Sequence, residues 1–141
     1  MLYWDSSALV ASFINEQSTD KIRSFSIKVG TIQSYTAIIT PLEIESAIQR
    51  KLKEQSITAK QADQARRLTT DFRRQSHLVI GDQTVLDLAL HLQKIYSLRV
   101  ADAFQLASAR AGTDDPSKVN FLCLDRKLNE AAEQEGFHVP F

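Results

Sequence analysis

The chain is predicted to fold as an α/β domain with a central parallel sheet of about five strands flanked by helices. Two observations lead there. Short apolar runs alternate with segments of helical periodicity, the pattern of strands joined by crossover helices. The 141 residues also suit a single core, and no Pro-, Gly- or Ser-rich linker divides them. One domain, 1-141, is expected.

The elements follow in order. Strand-like segments fall near 2-5, 36-40, 78-80, 119-124 and 137-139. Between the second and third, Ile44, Ala47, Ile48 and Leu52 recur at helical spacing over 41-54, with Thr40 as a candidate cap and Pro41 at the first helical position. A second helix is expected from Thr58 to about Gln75. Its apolar stripe (Ala62, Ala65, Phe72) is thin, and Arg66, Arg67, Arg73 and Arg74 make it basic. Over 83-96, Val85, Ala89, Leu92 and Tyr96 repeat after Asp82, which reads as an N-cap. ADAFQLASAR continues as a helix burying Ala103, Phe104 and Ala107, and a last helix begins at Arg126.

Lys plus Arg and Asp plus Glu both total 17, so no overall charge bias points to nucleic acid or membrane, and polyanion binding would need a local patch. The lone Cys123 lies in an apolar run, which excludes an intrachain disulfide framework and suits a buried thiol in a reducing compartment. No apolar run approaches a membrane span, and Asp5 interrupts the N-terminus too early for a signal peptide. A cytoplasmic protein with no membrane partner is the expectation.

Asp5, Glu43, Asp102 and Asp125 carry the chemistry. Each lies where a strand gives way to a helix or where a helix opens, and in doubly wound sheets those junctions share one rim, where ligands bind. Taken singly, each has a plainer reading. Asp5, Asp102 and Asp125 can cap the helices that follow, and Thr40-Pro41-Leu42-Glu43 has the form of a capping box in which Glu43 reaches back to Thr40. Helical spacing alone does not separate Glu43 from Glu45. The set is harder to explain that way. Two carboxylates ~5 Å apart at an effective dielectric of ~20 repel by about 3 kcal/mol, and four charges form six such pairs. Protonation, a Lys or Arg partner, or a bound cation must offset that repulsion. An all-oxygen site favours Mg²⁺ or Mn²⁺.

The segments that hold these acids, LYWDSSALV, TPLEIESAIQR, LRVADAFQLASA and VNFLCLDRKLNEAAEQEGFHV, resemble in order and spacing those of PIN-domain nucleases over essentially the full length. The compact form is most similar to the VapC-type toxins of bacterial toxin-antitoxin pairs. That resemblance implies a single PIN-like domain with Mg²⁺- or Mn²⁺-dependent endoribonuclease activity, leaving a 5′-phosphate and a 3′-hydroxyl. It also implies RNA as substrate, a cognate antitoxin that covers the acidic site, and a homodimer. Asp5, Glu43, Asp102 and Asp125 fall on the family's acidic quartet, as metal ligands and catalytic residues. Ser6 falls on its small hydroxyl position, where it either caps the first helix or holds a carboxylate or water. Trp4 stands where an aliphatic residue is more usual, and Cys123 where Ser or Thr is common.

Candidate phosphate contacts are Arg50, Lys51, Lys53, Arg99, Arg126 and Lys127, which can equally form a solvated face. Arg99, just before Asp102, is the one best placed for substrate binding. His77, His91 and His138 sit in unrelated contexts, which gives no support to a paired-histidine ribonuclease. Two alternatives stand beside the nuclease: a catalytically silent PIN-fold module that binds RNA or protein, and a receiver-like signalling domain. The receiver pattern calls for paired acids after the first strand, whereas Asp5 is followed by Ser6 and Ser7.

Overall fold

The computed structural model describes residues 1–30 and 32–141. In chain order it contains β1 (Leu2–Trp4), α1 (Ser6–Phe13), α2 (Thr19–Val29), β2 (Ser34–Ala37), α3 (Thr40–Lys53), α4 (Ala59–Gln75), β3 (His77–Val79), α5 (Gln83–Tyr96) and α6 (Val100–Ala111). A 3₁₀ turn at Pro116–Lys118, β4 (Asn120–Leu122) and α7 (Arg126–Gln134) complete it. Among the described residues the strands form one four-stranded sheet in the order β3-β2-β1-β4, and every pairing is parallel. The predicted α/β class and the parallel sheet flanked by helices are present. No helix among the described residues is long and apolar enough to cross a membrane.

Side-chain alternation in β1 explains the two-sided sheet. Leu2 and Trp4 face one core with Leu9, Ile22, Ile44, Ile48, Ala62 and Ala65, supplied by α1 to α4. Tyr3 faces the other, with Tyr35, Phe121, Leu92, Leu106 and Leu128, where α5, α6 and α7 pack. Both faces are dry, so the strands read as continuous apolar runs in sequence. Tyr3 is the centre of the second core: its ring lies 5.0 Å from Tyr35, edge to face, and 5.1 Å from Phe121, stacked. Those rings belong to its register partners on β2 and β4.

One expected element is reduced. The segment 137-139 was predicted as a fifth strand, but it contributes a single parallel bridge, Asn120 to His138. Gly136, at φ 94°, turns the chain out of α7 immediately before it, and Pro140 follows with no N–H to extend a ladder. Three residues remain between those breaks, enough for the two bonds Phe121 N to His138 O and His138 N to Val119 O.

The chain winds from β1 through β2 to β3 on one side of the sheet, then returns to lay β4 against the other side of β1. This is a topological switch point. A crevice opens there, beyond the carboxyl ends of β1 and β4. The order also differs from the 2-1-3-4-5 sheet of receiver-type domains, where β1 lies between β2 and β3.

Candidate acidic site

Asp5 leaves the end of β1 in extended conformation and caps α1. Its Oδ2 accepts from the Ser7 backbone N–H at 3.0 Å and from the Ser7 hydroxyl at 2.5 Å. Ser7 Oγ in turn accepts from Leu124 N at 3.0 Å, which ties the first helix to the chain leaving β4. The carboxylate is only 4% exposed. Burial raises its pKa, the Ser7 and Cys123 hydrogen bonds oppose the rise, and the Asp102 charge adds to it.

Asp125 caps α7 through Oδ1, which accepts from Leu128 N at 2.9 Å. Its Oδ2 lies 3.8 Å from Arg99 Nη2. Both cap readings are therefore correct for these two acids.

They fail for the other two. The predicted capping box at Thr40 does not form: α3 starts at Thr40 itself, Ile39 is the cap position, and no side chain caps there. Thr40 Oγ1 instead meets Thr36 Oγ1 at 2.7 Å and accepts from Gln105 Nε2 at 3.0 Å. Glu43 does not reach back to the backbone. Its Oε1 accepts from Gln105 Nε2 at 2.5 Å. Burial raises the Glu43 pKa, Gln105 pulls it down, the Asp5 and Asp102 charges push it up, and Ser6 lowers it slightly. Asp5, not Ser6, caps α1, and Ser6 lines the same cleft as Glu43. Glu45, which spacing could not separate from Glu43, points elsewhere and pairs with Arg66 at 2.8 Å. Asp102 lies in the first turn of α6, whose cap position is Arg99, and makes no capping bond. It accepts from Arg99 Nε at 3.2 Å.

Asp5, Glu43 and Asp102 therefore lie within electrostatic reach of one another, and Arg99 joins Asp102 to Asp125 at the mouth. The Arg99 side chain is 81% exposed and spans the two acids like a loose cation. Among the described residues, no three His, Cys, Asp or Glu side chains converge closely enough to hold a metal ion as they stand. The donor chemistry nevertheless fits a hard cation. Carboxylates and hydroxyls line the site, and burial with the Asp5 charge keeps the nearby Cys123 thiol protonated, so no soft thiolate competes.

A cleft of about 450 Å³ opens beside these groups, lined by Ser6, Glu43 and Asp125 at one part and by Glu16, Arg50 and Lys51 at another. Lys51 is paired with Glu16 at 2.8 Å. Arg50 follows Glu43 by seven residues on α3, two helical turns and about 10 Å along the axis. His77, His91 and His138 are all exposed.

Two residues of the site were not singled out in the sequence. Ser7, rather than Ser6, receives the Asp5 cap, a pattern legible from the usual bond between an N-cap side chain and the N–H two or three residues on. Gln105 carried no local signal, because its partners lie 62, 65 and 102 residues away. Neither a scan against models of known protein families nor a search of curated proteins finds a match to this chain.

Proposed function

We propose that this chain is a Mg²⁺- or Mn²⁺-dependent endoribonuclease of the PIN type, acting as the toxin of a toxin-antitoxin pair. The observation that carries the reading is the position of Glu43 and Asp102. Both sit with Asp5 at the carboxyl edge of a parallel sheet, and neither serves as a helix cap. Like charges gathered without a capping duty repel, and a bound cation would offset that repulsion.

In this reading Asp5, Glu43, Asp102 and Asp125 hold the metal. When bound, it lowers the pKa of a water and neutralises charge that develops on the phosphoryl oxygens. The chain's own residues do the rest. Gln105 keeps Glu43 turned into the site. Ser7 fixes Asp5, so the ligand oxygens are oriented before substrate arrives. Arg99, exposed at the mouth, is free to exchange its carboxylates for a substrate phosphate. Arg50 offers a second positive charge about 10 Å along α3 from Glu43, one to two nucleotides away on an extended single strand. An inhibitory antitoxin, or a second copy of the chain, would cover the rim, where Leu42, Ile80 and Val100 expose apolar surface.

The silent binding module is favoured by one observation: the acids do not converge as a cage, and Arg99 already neutralises two of them. End-mapped cleavage of total cellular RNA separates the two readings. Purified protein should give discrete cuts with Mn²⁺ or Mg²⁺ that vanish in EDTA and in Asp102→Asn. Folded, antitoxin-free protein that gives no cuts at any metal concentration would support the binding module instead.

A further inference from the structure

Gln105 is fully buried on α6, one turn beyond Asp102, and every polar atom of its side chain has a partner. Oε1 accepts from the Tyr3 hydroxyl. Nε2 donates to Thr40 Oγ1 and to Glu43 Oε1. The direction of these bonds is fixed by their far end. Thr36 Oγ1 uses its one proton on the carbonyl of Trp4, at 2.5 Å. Thr36 can then only accept from Thr40, which consumes the Thr40 proton and leaves Thr40 able only to accept from Gln105. On the other side, the Tyr3 hydroxyl is the donor and Oε1 its acceptor. Both ends demand the same amide orientation, with the NH₂ group toward Glu43. A flipped amide would set Oε1 against the Glu43 carboxylate and leave the Tyr3 hydroxyl without an acceptor.

We propose that Gln105 is the positioning residue of the acidic site. Its amide is locked by a chain of hydrogen bonds that starts at the Trp4 carbonyl, next to Asp5, and ends on Glu43, so that the ligands from β1, α3 and α6 are set as one unit. The inference rests on the metal-site reading above. Gln105 touches neither metal nor substrate and acts through Glu43. Tyr3 acts only through Gln105.

The test is Mn²⁺ binding by titration calorimetry on wild type, Gln105→Met, Tyr3→Phe and the double variant, with thermal unfolding in EDTA measured alongside. Partners that orient metal ligands typically change affinity 10- to 100-fold when removed. Gln105→Met should therefore raise the Mn²⁺ Kd by roughly that factor. Tyr3→Phe should weaken binding in the same direction, and the double variant should bind no worse than Gln105→Met alone. Should Gln105→Met fail to fold, Tyr3→Phe, which deletes one hydroxyl, carries the test. Variants with a lower midpoint in EDTA but wild-type Mn²⁺ affinity would reduce Gln105 to a packing residue and overturn the proposal by itself. A wild-type protein that binds no Mn²⁺ would overturn the metal-site reading and this inference together.

Discussion

Replacing Asp5 by Asn should make the metal-free protein more stable while removing its response to metal. The cap survives, because Asn Oδ1 can accept from Ser7 N–H and Oγ as Asp5 Oδ2 does, and Asn and Asp are near-equal N-caps. The charge does not survive. Asp5 is buried, and Glu43 and Asp102 are the like charges felt at the site. A neighbour ~6–8 Å away at an effective dielectric of ~20 repels it by about 2–3 kcal/mol. Proton uptake by the raised acids limits how much of that is felt at neutral pH, so a net gain of about 2–3 kcal/mol is expected. For a chain of this length each kcal/mol moves Tm by roughly 3–4 °C, so unfolding in EDTA should shift upward by about 6–12 °C. Wild type should gain stability on adding Mn²⁺, by about 2.7 kcal/mol at a hundredfold excess over Kd. Asp5→Asn should gain little. Scanning calorimetry with EDTA and Mn²⁺ arms reads both effects. A variant less stable than wild type in EDTA would show that Asp5 acts as a cap and no more, and would refute the repelling cluster.

Burial raises both Asp5 and Glu43, so the folded chain holds their protons above the pH at which the unfolded chain has lost them. Their contribution to metal-free stability is thus greatest below the ordinary carboxylate range and falls as pH rises through the raised values; EDTA melts across that window should show this slope, and Mn²⁺ should flatten it. Arg50→Ala should weaken binding of a single-stranded RNA and make the plot of log K against log salt shallower by about 0.7. An unchanged slope would remove Arg50 from the substrate track. Arg99→Gln should leave Mn²⁺ affinity unchanged or tighter, since it removes a competitor for Asp102 and Asp125, while RNA binding weakens; a loss of Mn²⁺ affinity would mean that Arg99 organises the acids instead of occupying them.

What the sequence made legible was whatever is encoded locally. Asp82 and Asp125 were readable as caps because the N–H groups they bond lie three residues on. The α5 boundaries, Gln83–Tyr96, follow from a cap and a clean apolar stripe. The errors have separate causes. Thr40 looked like the head of a capping box, yet its hydroxyl is committed to Gln105 and Thr36, and a bond across the fold displaced the local one. α2 was not singled out, since its buried contacts are few: Thr19 and Ile22 alone are fully covered. The fifth strand failed on Gly136 and Pro140, which leave too little chain between them. Gathering the four acids onto one edge was a topological expectation. Their contacts with Gln105, Ser7 and Arg99 depend on which atoms meet, and no spacing rule contains that.

The choice between cap and ligand, posed for Asp5, Glu43, Asp102 and Asp125, is softened by the geometry of a carboxylate. Each has two oxygens, and a cap needs one. Asp125 gives Oδ1 to Leu128 N–H and turns Oδ2 toward Arg99. Asp5 gives Oδ2 to Ser7, both bonds falling on that single atom. A helix N-terminus at the carboxyl end of a parallel strand therefore orients its cap residue and leaves the second oxygen free of the cap. The helix dipoles of α1 and α7 stabilise those charges from behind. That support is what lets the fold tolerate acids it has no internal cation to match, apart from one exposed arginine. Glu43 and Asp102 cap nothing: Glu43 leans on Gln105 across the fold and Asp102 on the exposed Arg99. On the metal-site reading their presence beside Asp5 lowers metal-free stability, and a bound cation would offset that cost.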